Sequence, residues 1–276
     1  MTYTLLIDCI DRKGLVHSIT GVLLQHDLNI VKQGEFVSDD LHFFMRTVFS
    51  GAFDTETLTR DLGHVLPDNT KIQLSPRSPK SIVICVTKEA HCLGDLLIRH
   101  TYGDLNARIA AVIGNRTRLS ELVSRFDIPF HHVSADGISR EDHEEEVLKL
   151  VRSYQPDYLV LAKYMRLLTP RFTAQFPNRM INIHHSFLPA FVGARPYRQA
   201  FKRGVKIIGA TAHFVTDQLD EGPIIAQDVV RIDHSKSVRD MTRSGQNVET
   251  SVLADALRLV FEDRVFVHGN RTIIFD

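Results

Sequence analysis

The sequence is poor in cysteine, balanced in charge and free of long apolar runs. Its three cysteines, Cys9, Cys85 and Cys92, form neither a disulfide framework nor a zinc-ligand pattern. They suit a reducing compartment. Lys and Arg number 33, as do Asp and Glu, so the formal net charge is +0. That leaves no global field to draw the chain to nucleic acid or to a membrane surface. No apolar run approaches the ~20 residues of a membrane helix. The start reaches Asp8 and Asp11 before a signal-peptide core could form. A cytoplasmic protein with no membrane or nucleic-acid partner is therefore expected. At 276 residues, 43% apolar and 24% charged, the chain has the make-up of a soluble globular protein of one large or two ordinary domains.

The first 80 residues alternate short apolar runs with two amphipathic stretches. Tyr3–Cys9 reads as a strand, Asp11–Gly14 as a turn, and Leu15–His26 as a helix, with Leu15, Ile19, Val22 and Leu23 on one face. Ile30–Val37 and Leu41–Ser50 read as strands around a Ser38–Asp40 turn, followed by a helix over Thr55–Leu66 and a strand over Thr70–Leu74. The order β-α-β-β-α-β predicts a ferredoxin-like unit over residues 1–80. Two prolines and two serines between Ser75 and Lys80 predict an exposed linker.

Residues 81–276 change pattern. Ser81–Val86 is a continuous β-branched run, as in a strand buried on both faces. Helices over His91–Tyr102, Leu119–Phe126 and Arg140–Ser153 alternate with strands over Ala107–Gly114, Pro129–Val133 and Tyr158–Ala162. This predicts a doubly wound, mostly parallel α/β sheet. Met180–Ile183 adds a strand, and Ile208–Val215 pairs with Ala226–Ile232 near the sheet edge. A helix over Val248–Phe261 and a hairpin around Gly269-Asn270 close the chain. The Glu144–Glu146 run reads as a solvated helix face.

Chemistry concentrates between Asn182 and Gly222. Alternation in a strand sends Asn182 and His184 to one side, where two donors can bracket a carbonyl oxygen. Asp220, in an Asp-Glu-Gly turn, suits a base or proton relay. Taken alone, the pair also describes a hydrogen-bonded amide with a surface histidine, and Asp220 an ordinary turn residue. His184, His185 and His213 with Asp220 include ligand types for a metal. Residues 184 and 185 point to opposite faces if the strand continues, so no metal is expected. Cys92 has no evident partner and reads as a buried structural thiol. His131 and His132 end a strand near this region.

NIHHSFLP, GATAHFV and DEGPII, in this order, resemble the formyltransferase family that uses 10-formyltetrahydrofolate. The resemblance implies a catalytic triad of Asn182, His184 and Asp220, with His213 as the family's second histidine at the substrate. LAKYMRLL is similar to the family's folate-pocket segment, which implies a pterin site lined by Met165, Arg166, Leu167 and Leu168. TKEAHCLGDLL holds one glycine and Glu89, a poor phosphate cradle. That segment resembles the deformylase branch instead, as do IPFHHV, HHSFLPAFVGARPY and EDRVFVHGNRTIIF. One departure is Arg116, where that branch implies a histidine.

DRKGLVHSITGVL followed by LNIV resembles an ACT domain, a small-molecule regulatory module. It implies an amino-acid effector, methionine or glycine, near Asp11, Gly14 and Asn29, and a homo-oligomer through paired ACT units. Asp11 capping the helix and Gly14 relaxing the turn, with no ligand, remains the alternative. The branch implies hydrolysis of 10-formyltetrahydrofolate as substrate, with no cofactor. Water attacks the formyl carbon, Asn182 and His184 stabilise the oxyanion, and Asp220 relays the proton. Formate would feed purine synthesis. A transferase to a small amine acceptor and a catalytically silent amino-acid sensor are the alternatives.

Overall fold

The computed structural model describes residues 2–190 and 196–276. Residues 191–195, within the HHSFLPAFVGARPY motif, lie outside the described residues. The chain forms two compact units. The first comprises residues 1–78 with 262–266 and 273–276, and the second residues 79–261 with 267–272.

In the first unit, β1 (Thr2–Ile10), α1 (Leu15–Gln25), β2 (Asn29–Val37), β3 (His42–Ser50), α2 (Thr55–Val65) and β4 (Lys71–Pro76) follow the expected order. The four-stranded sheet runs β2-β3-β1-β4 and is antiparallel throughout. Gly14 opens α1 at φ 89, a left-handed conformation that glycine adopts without strain, and no side chain caps the helix. Asp54 caps α2 by accepting the backbone N–H of Thr57 at 2.8 Å.

Both faces of this sheet are covered. Leu5, Ile7 and Cys9 of β1 pack with Ile19, Leu23, Leu58 and Leu62 of the helices. Leu6 and Phe44 face the other way and pack with Phe266 and Phe275 from the end of the chain. The Arg46 guanidinium, 5% exposed, donates to the carbonyls of Asp263 at 2.7 Å and Glu262 at 2.9 Å. Only residues 77–79 separate β4 from β5, because Ser75, Pro76 and Lys80 of the expected linker pair within strands.

The second unit holds β5 (Lys80–Val86), α3 (His91–Tyr102), β6 (Ala107–Gly114), α4 (Ser120–Ser124), β7 (Phe130–His132), α5 (Arg140–Tyr154), β8 (Tyr158–Leu161), α6 (Pro170–Thr173) and β9 (Met180–His184). After these come α7 (Pro196–Arg203), β10 (Ile207–Phe214), β11 (Ile224–Arg231) and α8 (Val238–Phe261). A final hairpin pairs β12 (Val265–His268) with β13 (Arg271–Ile274). The seven-stranded sheet runs β11-β10-β9-β8-β5-β6-β7. The five strands β9, β8, β5, β6 and β7 are parallel, and β10 and β11 add an antiparallel edge. The chain builds outward from β5 to β6 and β7, then crosses to β8 on the other side. That reversal makes a crevice beyond the carboxyl ends of β5 and β8, the usual ligand position in such sheets.

Two helices differ from their sequence-based bounds. Thr117–Leu119 forms a 3₁₀ turn and α4 spans only Ser120–Ser124. α8 starts ten residues before Val248, at a box in which Asp240 accepts from the Ser237 hydroxyl at 2.6 Å and the Ser237 N–H at 3.0 Å. Glu144 corrects the reading of a solvated acidic face. It is 5% exposed and accepts the backbone N–H of Thr169 at 2.8 Å and its hydroxyl. A buried carboxylate needs such donors, and α6 supplies them at its N-cap.

No helix among the described residues is long and apolar enough to cross a membrane.

Candidate active site

At the carboxyl ends of β8 and β9 lies a cavity of about 610 Å³, of the size that takes a small-molecule ligand. β9 delivers Asn182 and His184 to it from one side of the strand, as the period of two requires. Asp220 arrives from the turn between β10 and β11 and faces both neighbouring imidazoles. Its Oδ2 is 3.2 Å from Nδ1 of His184, and its Oδ1 is 3.7 Å from Nε2 of His213. The first distance is within hydrogen-bonding range and the second exceeds it.

The turn is built for this approach. Asp220 sits at φ 57, a left-handed conformation that aspartate tolerates better than most residues. Gly222 lies against β10 so closely that a Cβ would fall 1.8 Å from the Phe214 carbonyl oxygen. The Phe214 N–H donates to the Pro223 carbonyl at 2.9 Å and locks the turn to the strand.

His213 is 2% exposed. Its Nδ1 donates to the Phe214 carbonyl at 2.9 Å, which leaves Nε2 to accept from the Asn182 amide at 3.3 Å. One N–H of Asn182 is thereby fixed and the second remains for a ligand. Nε2 of His184 is buried and has no partner among the described residues. An orphaned imidazole nitrogen beside a cavity is a binding group waiting for an acceptor or a proton. Burial raises the Asp220 pKa, but its interactions with His184 first and His213 second outweigh it and hold the carboxyl well below the usual range.

The opposite wall is the irregular segment from Lys163 to Leu168. Met165, Arg166, Leu167 and Leu168 all line the cavity, with Tyr164 and Val215 beside them. This segment is fixed by its backbone. The Met165 N–H donates to the Thr87 hydroxyl at 2.9 Å, and Arg140 donates to the Leu167 carbonyl at 2.9 Å. Glu144 holds the next residue but one, Thr169. The result is a slot walled by Met165, Leu167, Leu168, Tyr164 and Val215 with Arg166 among them, suited to a flat heterocycle.

The other residues singled out by the sequence lie apart from this constellation or bound it. β9 ends at His184, so alternation does not extend to His185, and the two imidazole centroids lie 5.2 Å apart. Burial first, and Lys163 second, pushes the His185 pKa down to about 4. His131 bonds the Tyr154 hydroxyl at 2.7 Å, and neither it nor His132 lines the cavity. Arg116 pairs with Asp136 at 2.7 Å and is likewise absent from the cavity wall. Cys92 is buried, and burial raises its thiol pKa. His91, Cys92 and Glu249 bring ligand atoms within 4.8 Å of one another, but Lys163 already pairs with Glu249 at 3.0 Å. Asp11 and Gly14 lie on the turn after β1 and Asn29 opens β2; none of the three lines this cavity. The Asp11 N–H donates to the Leu41 carbonyl at 2.8 Å.

Sequence patterns did not single out Lys163 or Glu249 as site residues. Lys163 stands inside a quoted motif, but a buried ion pair 86 residues apart leaves no local signature.

The formyl transferase family matches residues 80–257. A formyltetrahydrofolate deformylase of Escherichia coli is 58% identical over 267 residues, covering 96% of this chain and 95% of that relative. The crystal structure of a formyltetrahydrofolate deformylase from Pseudomonas syringae superposes with a TM-score of 0.96 at 41% identity, covering 100% of this chain and 94% of that one. Glycinamide ribonucleotide transformylase 1 from Symbiobacterium toebii gives a TM-score of 0.70 at 32% identity, over 76% of this chain and 100% of its own.

Proposed function

The chain belongs to the formyltetrahydrofolate deformylase family, and from that membership we infer that it hydrolyses 10-formyltetrahydrofolate to formate and tetrahydrofolate. The observation that carries the reading at residue level is the meeting of Asn182, His184 and Asp220 in one cavity. The pterin lies in the slot lined by Met165, Arg166, Leu167 and Leu168, with the formyl group reaching the triad.

Water adds to the formyl carbon. The free N–H of Asn182 and Nε2–H of protonated His184 stabilise the developing oxyanion. Ionised Asp220 stabilises that imidazolium through Nδ1–H. It also takes up the water proton transiently and passes it to the departing folate nitrogen, as the C–N bond breaks. A carboxylate held well below its usual range does not keep a proton, which suits a relay. His213 orients Asn182. No cofactor takes part, and the chemistry needs no metal.

The β-α-β-β-α-β unit over residues 1–80 acts as an ACT-like regulatory domain ahead of a catalytic domain over 81–276. Methionine or glycine is its effector class, at the turn carrying Asp11 and Gly14 and at Asn29, and paired ACT units make a homo-oligomer. The enzyme works in the cytoplasm, where it balances one-carbon folates and supplies formate for purine synthesis.

The deciding experiment incubates the purified protein with 10-formyltetrahydrofolate and no added acceptor. Stoichiometric formate is expected; absence of formate with the substrate bound would end the reading.

A further inference from the structure

The wall of the catalytic cavity holds a cation that the hydrolytic chemistry leaves unused. Lys163 follows β8, is 4% exposed, and lines the cavity with Asn182, His184 and Asp220. Its Nζ lies 3.0 Å from Oε2 of Glu249, which is 1% exposed on α8. The same carboxylate takes Nε2 of His91 at 2.8 Å and the Tyr197 hydroxyl at 2.5 Å. Three donors from separate parts of the chain therefore converge on one buried charge. Tyr197 reaches it because residue 245 is glycine: a Cβ there would lie 2.1 Å from the hydroxyl oxygen.

The backbone of Lys163 carries a second, independent signal. Its φ is 61, where a residue with a Cβ is strained and glycine is not. Ten non-glycine residues among those described have positive φ, and most are Asp or Asn, which tolerate it; Lys163 is the lysine in the set. Glycine would satisfy this backbone more easily. The position is strained for the sake of its side chain, and such strain clusters at functional sites.

An amine that accepts a formyl group arrives from water largely as an ammonium and must lose a proton before it attacks. A fixed ammonium in the cavity wall repels it, Glu249 is saturated by its three donors, and Asp220 is engaged by His184. Water carries no charge and passes this filter. We propose that Lys163, fixed by Glu249, determines the acceptor of the reaction by excluding amines and leaving water as the nucleophile. This rests on the hydrolytic reading above and deepens it. In hydrolysis a bond forms from the water oxygen to the formyl carbon, the C–N bond to folate breaks, and a water proton ends on the folate nitrogen. In the excluded reaction the amine nitrogen would bond to the formyl carbon, and one amine proton would go to that same folate nitrogen. The neighbouring fold of glycinamide ribonucleotide transformylase 1 is named for a reaction with a different acceptor.

The test is a competition between acceptors. Full-length protein and its variants Lys163→Gly and Lys163→Met receive 10-formyltetrahydrofolate with glycinamide as the probe amine. Formate and N-formylglycinamide are both quantified, and tetrahydrofolate binding is measured separately. Wild type is expected to yield formate without formylated amine, and a variant to raise the ratio of formylated amine to formate by about tenfold or more. A merely structural role would not move that ratio. Glycine relieves the backbone and methionine keeps the stem, so either variant that folds decides the matter. A ratio unchanged in a variant that still binds folate overturns the proposal. So does complete loss of turnover with folate still bound, which would make the ammonium part of hydrolysis itself. Failure of both variants to fold would assign Lys163 to stability instead. If wild type formylates glycinamide and releases no formate, the hydrolytic reading fails before Lys163 is at issue.

Discussion

Nδ1 of His184 lies 3.2 Å from Oδ2 of Asp220, although 35 residues of chain separate them. The contact fixes one side of the imidazole and turns its other nitrogen, buried and unpartnered among the described residues, to the cavity.

Asp220→Asn keeps the shape of the side chain and removes its charge. Formate release is expected to fall by at least ~10² while tetrahydrofolate binds as before. Steady-state turnover and equilibrium binding, measured together, check this. Near wild-type turnover would remove Asp220 from the reaction. Because neighbouring histidines hold its carboxyl well below the usual range, Asp220 stays ionised through mildly acid solution. Its protonation therefore does not set the acid limb of the rate profile.

Asn182→Ala deletes one donor to the oxyanion. Turnover is expected to drop by ~10²–10³ with a much smaller change in KM. A rise in KM at unchanged kcat would show that the amide only binds the ground state.

Gly222→Ala tests the approach of the Asp220 turn to β10. Its new Cβ would meet the Phe214 carbonyl oxygen at 1.8 Å, so the backbone must move. Activity is expected to be lost in a protein that still folds, because the shift carries Asp220 away from His184. Full activity with an unchanged melting temperature would show that the turn adapts at no cost.

Glu144→Ala should loosen the slot rather than the chemistry. It frees the Thr169 N–H and hydroxyl, just beyond Leu168. KM is expected to rise more than kcat falls, with a stability loss of about 1–3 kcal/mol. Glu144→Gln, which still accepts from one of the two donors, should lie between. Equal KM in all three forms would sink the idea.

Glu249 gives a pH signature. Burial raises its pKa, but His91, Lys163 and Tyr197 together lower it from 4.5 to about 2. A group depressed in the folded state adds stability above its unfolded pKa and loses it as pH falls. The stability gap between wild type and Glu249→Gln is thus expected to be full near neutrality and to shrink from about pH 4.5 towards about pH 2. Denaturant titrations across that range report it; a gap independent of pH would mean that Glu249 is not ionised in the native protein.

Much of this was legible in local patterns. The period of two put Asn182 and His184 on one side of a strand, and the Asp-Glu-Gly turn marked Asp220. Alternating strands and helices gave the mostly parallel sheet of the second unit, and two successive apolar runs gave the pair at its edge, whose antiparallel direction the pattern did not show. What escaped had no local mark. Glu144 sits in a run of three acids on a helix, and only Thr169, 25 residues on, distinguishes it from its neighbours. Glu249 interrupts an apolar helix face, and its partners lie 52 to 158 residues away. The early start of α8 was hidden because Val238–Asn247 is too polar to show a helical stripe, while the Ser237–Asp240 box that opens it is short.

Phe44 is fully buried beneath Phe266 and Phe275, whose rings meet edge to face at 5.5 Å. The first unit is therefore sewn from segments far apart in the sequence. A fragment ending near residue 78 would leave Phe44 and Leu6 bare, and a fragment starting at residue 79 would carry Phe266 and Phe275 without their bed. Residues 262–266 and 273–276 must therefore be in place before the first unit is whole, so its folding waits on a stretch about two hundred residues downstream of its own sheet.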